Sequence, residues 1–298
     1  MKSLVVWILL LLSYLSFGQN LKDTNRYAYF KEIISFLAND SLQGRAASTI
    51  YEAKTADFIF SKWKKLKRFQ PQFQFFAYTR KDSTSVKKSK NVYCYIDNKA
   101  SRTILIGAHY DHLGFGEGIS RSYSKKGIHN GADDNASGVA LLLSLAKNFK
   151  NWQSKKYNYL FVSYSAHEIG LFGSEAFSKL AQEKFKPIAL AINFDMVGRL
   201  DADRKVFNVY GRNTLTSAQD QIFDNVLFDG NLMPNYSDKI YQCDLKWFAE
   251  KGISCLSFTT GIHSDYHTIN DDEQWINYEG MTIIEEYLER LLTQFSTE

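Results

Sequence analysis

Five histidine and carboxylate residues stand out as candidate metal ligands. They are His109, Asp133, Glu168, Asp195 and His267. Imidazole nitrogen and carboxylate oxygen bind zinc readily, and a catalytic zinc site keeps one position open for water. Five such ligands, one of them shared between two metals, would hold a pair of zinc ions. The residues therefore predict a hydrolase that activates water with two zinc ions.

Strands must bring these side chains together. From Arg102 onward, apolar runs rich in β-branched and aromatic residues alternate with helical patterns. The predicted strands are Thr103–Ala108, Tyr157–Ser163, Ile188–Phe194, Val206–Tyr210 and Ile253–Phe258. Such alternation predicts an α/β fold, a three-layer α/β/α sandwich with a central, mostly parallel mixed sheet.

Four of the predicted strands end shortly before a candidate ligand. His109, Glu168 and Asp195 each follow one strand, and His267 follows the last strand after a short loop. An open α/β sheet binds ligands beyond the carboxyl ends of its strands. A single polar residue after a strand is usually a turn or a helix cap, but that explanation does not account for the whole set. We therefore expect these side chains to meet at one edge of the sheet.

Three segments have the apolar spacing of helices. Val139, Leu142 and Leu143 lie on one face of a predicted helix over Asn135–Phe149. The same pattern predicts helices over Tyr278–Phe295 and over residues 27–37. These helices would cover the sheet.

Five sequence motifs contain the candidate ligands, and together they resemble those of the di-zinc aminopeptidases. This family includes bacterial leucyl aminopeptidase and aminopeptidase Y and belongs to the zinc exopeptidase clan. The motifs are Gly107–Gly114, Asn130–Gly138, Glu168–Ser174, Asn193–Met196 and Ser264–Thr268, and a weaker early match is Leu37–Arg45. The resemblance implies the zinc-exopeptidase (phosphorylase/hydrolase-like) fold and two zinc ions. It also implies peptide or protein substrates with a free amino terminus.

The resemblance also implies how the ligands divide between the metals. One zinc ion would be bound by His109 and Asp195, the other by Glu168 and His267, and Asp133 would bridge the two. Asp111 would lie beside them and act indirectly. A carboxylate two residues from a ligand histidine can accept the other ring N–H and so fix the orientation of the ring.

The chain departs from the family pattern at His167. Family members commonly have two consecutive glutamates here, of which the first is the general base, whereas this chain has His167 and Glu168. Three interpretations are open. His167 replaces the base, or it is an extra ligand or donor at the metals, or it marks a site that has lost its activity. A general base contributes about 10²- to 10⁴-fold, so the last interpretation predicts a weak or silent enzyme.

A second departure lies in Gln242–Phe248, where Asp244 matches the family but Cys243 and Leu245 do not. In the family this segment borders the substrate pocket. By that resemblance, Asp244 is predicted to contact the substrate.

The beginning of the chain predicts its location. Residues 1–18 have a charged start, a short apolar run and a small-residue exit, which are typical of a secretory signal peptide. The apolar run is shorter than the roughly 20 residues of a membrane-spanning helix. We therefore expect an exported protein, periplasmic or secreted and without stable membrane insertion, whose residues 19–298 form one peptidase domain. A net charge of +4 does not indicate a nucleic-acid partner, and the sequence indicates no oligomeric state.

The leading hypothesis is an exported zinc metallopeptidase that removes residues from amino termini. The alternative is a catalytically weak or silent pseudopeptidase that binds peptides, because the expected glutamate is His167. Glutaminyl cyclases of this fold use a single zinc ion, so the full set of five ligands argues against cyclisation. Carboxypeptidase action would need a cation for the substrate carboxylate, and Arg199, the nearest candidate, is better explained as a surface ion pair.

Overall fold

An eight-stranded sheet forms the centre of the computed structural model, which describes residues 25–116, 119–123, 126–150, 152, 154–226, 232–238 and 243–297. The strands are β1 (Gln72–Thr79), β2 (Val86–Ile96), β3 (Thr103–His109), β4 (Asn158–Tyr164), β5 (Ile188–Phe194), β6 (Val206–Tyr210), β7 (Met233–Ser237) and β8 (Cys255–Thr259). Their order across the sheet is β1-β2-β4-β3-β5-β8-β6-β7. Four of the seven neighbouring pairs are parallel, and β4, β3, β5 and β8 form one continuous parallel block.

Helices cover both faces of this sheet. They are α1 (residues 25–37), α2 (Ile50–Lys65), α3 (Gly138–Asn148), α4 (Phe172–Lys184), α5 (Ser217–Asn225), α6 (Lys246–Ala249) and α7 (Tyr278–Thr297). Successive side chains of a strand point to opposite faces. On β4, Tyr159 and Phe161 accordingly join the core beneath α3 and α7, whereas Leu160 and Val162 join a second core beneath α4 and α6. Every residue of β3 and β4 is buried.

The five predicted strands are present, with ends that differ by at most two residues from the predicted ones, and the predicted fold class is confirmed. The sequence prediction did not include β1, β2 or β7. β1 and β7 are the edges of the sheet, and their exposed positions weaken the apolar pattern that marks a buried strand. The predicted signal peptide lies outside the described residues. In the described part of the chain, no helix combines the length and the apolar character that a membrane span requires.

The helix predicted to start at Asn135 starts instead at Gly138. Residues Ala132–Ser137 form an irregular helical turn in which Asp134 and Asn135 have non-helical backbone angles, and the peptide bond between these two residues is cis. Gly131 precedes the turn with φ 55°, and a Cβ there would collide with the Asp134 carbonyl. The turn therefore gives Asp133 and Asp134 directions that a regular helix would not.

A buried carboxyl, that of Glu285, joins α3 to α7. Its two oxygens accept hydrogen bonds from the Ser144 hydroxyl at 3.0 and 2.9 Å, and the Asn148 amide donates a third. Burial raises the pKa of Glu285 from 4.5 to about 7, although Arg26, 3.6 Å away, opposes the shift. The folded protein therefore retains this proton at pH values at which the unfolded chain has lost it.

We expect Glu285→Gln to remove a pH-dependent loss of stability. The folded state binds more protons than the unfolded state between pH 4.5 and about 7, so this group lowers the free energy of unfolding as the pH rises through that window. The difference amounts to about 3 kcal/mol. Urea unfolding of the metal-free protein should therefore show the variant gaining stability relative to the wild type between pH 5 and pH 8. If the free energies of unfolding of variant and wild type differed by the same amount at pH 5 and at pH 8, the assignment of this pH dependence to Glu285 would be contradicted.

Candidate active site

The carboxyl ends of the four central parallel strands carry the candidate ligands. His109 is the last residue of β3, and Asp195 directly follows β5. Glu168 lies in the loop after β4, and His267 lies in the loop after β8. Because these strands are neighbours in the sheet, their ends meet at one edge. The structure thus brings together four of the five predicted ligands.

Asp134, rather than Asp133, lies between the two histidines. Nε2 of His109 is 3.3 Å from Oδ1 of Asp134 and 3.5 Å from Oδ1 of Asp195. Nε2 of His267 is 3.2 Å from Oδ2 of Asp134 and 3.2 Å from Oε2 of Glu168. The two oxygens of Asp134 therefore face two separate groups, each with one histidine and one further carboxylate. Asp134 is thus the carboxylate that faces both groups.

Asp133 is directed elsewhere, which corrects the prediction that it bridges the metals. Its Oδ1 accepts hydrogen bonds from the Gly198 amide at 2.6 Å and the Ser137 hydroxyl at 2.9 Å. Its Oδ2 lies 3.2 Å from Nε2 of His263. Two adjacent aspartates cannot be distinguished by type or spacing, and only the direction of the turn Ala132–Ser137 decides which one enters the site.

The Asp111 carboxylate holds the loop after β4 rather than the His109 ring. Its oxygens accept the backbone N–H groups of His167 at 3.0 Å and Glu168 at 3.3 Å. Nδ1 of His109 is 4.0 Å from the carboxylate but only 3.2 Å from the Asp111 carbonyl oxygen. Burial raises the pKa of Asp111 to about 6, while His109 and His167 favour its ionised form. Asp111 therefore holds the backbone of residues 167–168 rather than the ring of His109, which the prediction had assigned to it.

His112 is a site residue that the sequence prediction left out. Its Nδ1 is 2.8 Å from Oε1 of Glu168, and its side chain is fully buried. A carboxylate only accepts hydrogen bonds, so Nδ1 carries the proton and donates it. The bond leaves Oε2 of Glu168 directed at His267. The sequence feature that could have indicated His112 as a site residue is its position in the motif Gly107–Gly114, which also contains the candidate ligand His109.

His167 and Asp244 form a hydrogen-bonded pair. Nδ1 of His167 is 2.9 Å from Oδ2 of Asp244, and the ring of His167 stacks on that of His109 with 3.7 Å between centroids and 9° between planes. Burial and His109 oppose protonation of His167, but Asp244 outweighs them and raises its pKa to about 9. Asp244 is 0% exposed, so it orients His167 and cannot contact substrate. The predicted substrate contact at Asp244 is therefore corrected.

The chemistry of the donor set fits metal ions. Nε2 of His109 and Nε2 of His267 are buried, and neither has a hydrogen-bond partner of acceptable geometry among the described residues. Burial opposes protonation of His109, but the carboxylates of Asp134 and Asp195 raise its pKa well above the usual value. Burial and Asp134 oppose ionisation of Glu168, but His112 and His267 lower its pKa to about 2. Ionised carboxylates that face ring nitrogens without hydrogen bonds are suited to share cations with them.

A cavity of about 410 Å³ opens beside this group, with Glu168 and His112 in its wall. Its volume lies within the range of roughly 300–1,000 Å³ that is usual for small-ligand pockets. Ser48, Tyr78 and Lys87 line the part contributed by residues 43–51 and the β1–β2 hairpin. A larger cavity of about 1180 Å³, between the ends of α1, α3 and α7, has none of the candidate ligands in its wall. Of these two cavities, the smaller one borders the candidate ligands and can present a ligand to the site.

A comparison with protein families agrees with this geometry. The sequence model described as peptidase family M28 matches residues 91–292, which are more than half of the chain and include every candidate ligand. The chain belongs to peptidase family M28.

Individual relatives of this M28 chain are distant. Aminopeptidase YwaD of Bacillus subtilis is 27% identical over 227 residues, which cover 73% of this chain and 44% of YwaD. The solved structure of BSAP, a zinc aminopeptidase from Bacillus subtilis, aligns with a TM-score of 0.71 and 15% identity over 91% of this chain and 94% of that one. The glutaminyl cyclase of Bacteroides thetaiotaomicron aligns with a TM-score of 0.74 and 17% identity over 93% and 98%.

At these identities the two structures show the fold alone. The M28 chain also spans less than half the length of YwaD and of two probable zinc metalloproteases from Pyrenophora species that it matches. The choice between peptide hydrolysis and another reaction of the fold therefore depends on the residues of the site.

Proposed function

We propose that this chain is a zinc-dependent aminopeptidase that holds two zinc ions. His109 and Asp195 would bind one ion, Glu168 and His267 would bind the other, and Asp134 would bridge them. The observation that carries this proposal is the position of Asp134, whose two oxygens face the two histidines at 3.3 and 3.2 Å. When bound, a zinc pair polarises a carbonyl oxygen and lowers the pKa of a bound water toward about 7.

His167 is the general base of the proposed reaction. Its Nδ1 is held by Asp244, so Nε2 remains to accept a proton from the attacking water and to deliver it to the leaving amine. Asp244 fixes the tautomer and stabilises the charged ring, as the aspartate of a catalytic triad does. Nearby cations would lower the pKa of His167 from about 9 toward neutrality.

The stacking of the two rings argues against His167 as an extra zinc ligand. A ligand histidine binds a metal in the plane of its ring. The planes of His109 and His167 are nearly parallel and lie up to 3.7 Å apart, so one ion cannot lie in both. His167 is therefore better placed to transfer protons than to share the zinc ion of His109.

The substrate would be a peptide with a free amino terminus. Asp195, whose side chain is 22% exposed, provides a carboxylate at the edge of the ligand group for an ammonium or amine. The cavity beside Glu168 would receive the part of the peptide beyond the cleaved bond. Apart from Glu168, the residues in its wall are apolar, hydroxyl-bearing, amide, imidazole or basic.

The test is the incubation of zinc-loaded protein with three groups of peptides, followed by mass spectrometry. One group has free amino termini, the second is amino-acetylated, and the third begins with glutamine. We expect residues to be removed from the first and third groups only, and a chelator to stop this. Loss of ammonia from the third group alone would mark a cyclase and overturn the proposal.

We also propose that the chain is exported by means of residues 1–18. The amino-terminal sequence of the protein recovered from the producing cells tests this proposal. A protein that begins at Gln19 in the periplasm or medium is expected. A chain that keeps Met1 and stays with the cytoplasm would contradict export.

A further inference from the structure

Arg45 is a buried cation directly behind the proposed metal centre. Its side chain is 0% exposed and donates only to backbone carbonyl oxygens. The acceptors are the carbonyls of Leu37 at 2.9 Å, Tyr110 at 2.8 Å, Gly131 at 2.6 Å, Asp134 at 3.4 Å and Asn130. A guanidinium has five N–H donors in a fixed plane, so one side chain can hold several carbonyls in a defined arrangement.

These carbonyls belong to segments that are far apart in the sequence. Leu37 ends α1, Tyr110 directly follows the ligand His109, and Asn130, Gly131 and Asp134 lie in the segment that carries the bridging carboxylate. Arg45 therefore connects the backbone next to His109 with the backbone of Asp134 itself. No described acidic side chain pairs with it within salt-bridge distance, so its hydrogen bonds all serve to place main chain.

Asp271 holds the same segment from its amide side. Its carboxylate accepts the backbone N–H groups of Asp133 at 3.1 Å and of Asp134 at 3.0 Å, and its carbonyl accepts that of Ala132 at 2.9 Å. Arg199 in turn donates to Asp271 at 2.9 Å and to Asp265 at 2.7 Å. Asp265 lies two residues before the ligand His267. The expectation that Arg199 forms a surface ion pair is thus corrected, since its side chain is only 14% exposed.

The segment 130–134 is therefore held between a cation on its carbonyl side and an anion on its amide side. Removing a partner from a buried carbonyl or amide leaves a group that has lost its water as well, which costs about 1–3 kcal/mol for each group. Burial lowers the pKa of Arg45 to about 10, and Asp134 and Asp271 oppose this shift, so the side chain stays protonated at neutral pH. The charge needed for the arrangement is therefore present under ordinary conditions.

We infer that Arg45 and Asp271 are positioning residues that fix Asp134 relative to His109 and His267, and thereby set the affinity for both metal ions. This inference depends on the metal centre proposed above. Neither residue touches the metals or the substrate, so they act only through the backbone that they hold. Since Asp134 belongs to both metal positions, a disturbance of its segment weakens both positions together.

The test measures the two zinc dissociation constants of each variant by titration against a chromophoric chelator. We expect Arg45→Met to weaken both constants by about 10- to 100-fold, as for other residues that orient ligands, and Arg45→Lys to recover part of the loss. Asp195→Asn should weaken mainly one constant, because Asp195 lies beside His109, whereas Glu168 is the carboxylate that lies with Asp134 beside His267. Arg102→Met is the control, since Arg102 is exposed and directly precedes β3, at the opposite end of the strand from His109, and it should change neither constant.

A lower melting temperature of Arg45→Met with unchanged zinc constants would overturn the inference and leave Arg45 with a purely structural role. If Arg45→Met does not fold, as judged by circular dichroism, Asp271→Asn replaces it, because this variant keeps the size of the side chain but removes the charge that holds the amides of Asp133 and Asp134. A folded Asp271→Asn with unchanged zinc constants would likewise overturn the inference. A wild type that binds two zinc ions but cleaves no peptide would contradict the proposed activity. The effect of Arg45 on the zinc dissociation constants could still be measured in that case.

Discussion

Asp134→Asn should abolish the binding of both zinc ions, and Asp133→Asn should leave two zinc ions bound. The reason is that the oxygens of Asp134 face the Nε2 atoms of His109 and His267. Asp133 instead accepts hydrogen bonds from Gly198 and Ser137 and lies beside His263. Without the bridging carboxylate the activation of water is lost, and we expect peptide hydrolysis to fall by about 1,000-fold or more. Elemental analysis of the dialysed proteins measures the zinc content directly.

The two variants control for each other because both remove one buried negative charge from adjacent positions. Circular dichroism establishes that each is folded before zinc is counted. Asp133→Asn is expected to lower stability, since the Gly198 amide and the Ser137 hydroxyl then donate to a neutral amide oxygen in place of a carboxylate, while its zinc content stays at two. If instead Asp133→Asn lost the zinc ions and Asp134→Asn kept them, the bridging role would belong to Asp133, as the family resemblance alone implies.

His167→Ala should lower kcat by about 10²- to 10⁴-fold while the zinc content stays unchanged. The expected loss is that of a general base, because Nε2 of His167 is the atom left to move a proton once Asp244 holds Nδ1. Asp244→Asn should lower kcat in the same direction, because an amide at this position no longer stabilises the protonated ring. Steady-state kinetics on a short unblocked peptide, with zinc determined in the same samples, measure both effects.

The matched control for this pair is His129→Ala. His129 is buried, but it bonds to Ser120 and lies outside the ligand group, so its removal should spare kcat. An unchanged kcat in His167→Ala would refute the general-base role. Loss of one zinc ion from His167→Ala would instead identify His167 as a ligand, despite the parallel stacking on His109.

The part of the fold that positions the site was predictable because it is buried on both faces. β3, β4 and β5 read as short apolar runs, and each ends within a few residues of a candidate ligand. The edge strands β1 and β7 were not predictable in this way, because their residues alternate between exposed and partly buried positions. The helix α7 was predicted from its apolar face with an end that differs by two residues.

In the site, residue types were predictable but directions were not. His109, Glu168, Asp195 and His267 follow from ligand chemistry and strand ends. The choice between Asp133 and Asp134 depends on the irregular turn Ala132–Ser137, which no periodicity describes.

Contacts between distant segments were also beyond the sequence pattern. His167 and Asp244 are 77 residues apart, and nothing in either motif indicates that one binds the other. Arg45 lies 89 residues before Asp134, and its five carbonyl acceptors have no side-chain signature at all. Such interactions depend on the packing of loops at the edge of the sheet, which is established only once the strands are in register.

The most direct test of the central claim is the rate of peptide cleavage as zinc is added to the metal-free wild-type protein. The substrate is one unblocked peptide, its acetylated form serves as the control, and products are identified by mass spectrometry while bound zinc is counted. We predict that single residues leave the amino terminus of the unblocked peptide only, and that the rate rises until two zinc ions are bound per chain. Two bound zinc ions without cleavage of the unblocked peptide would contradict the account and favour a silent, peptide-binding protein.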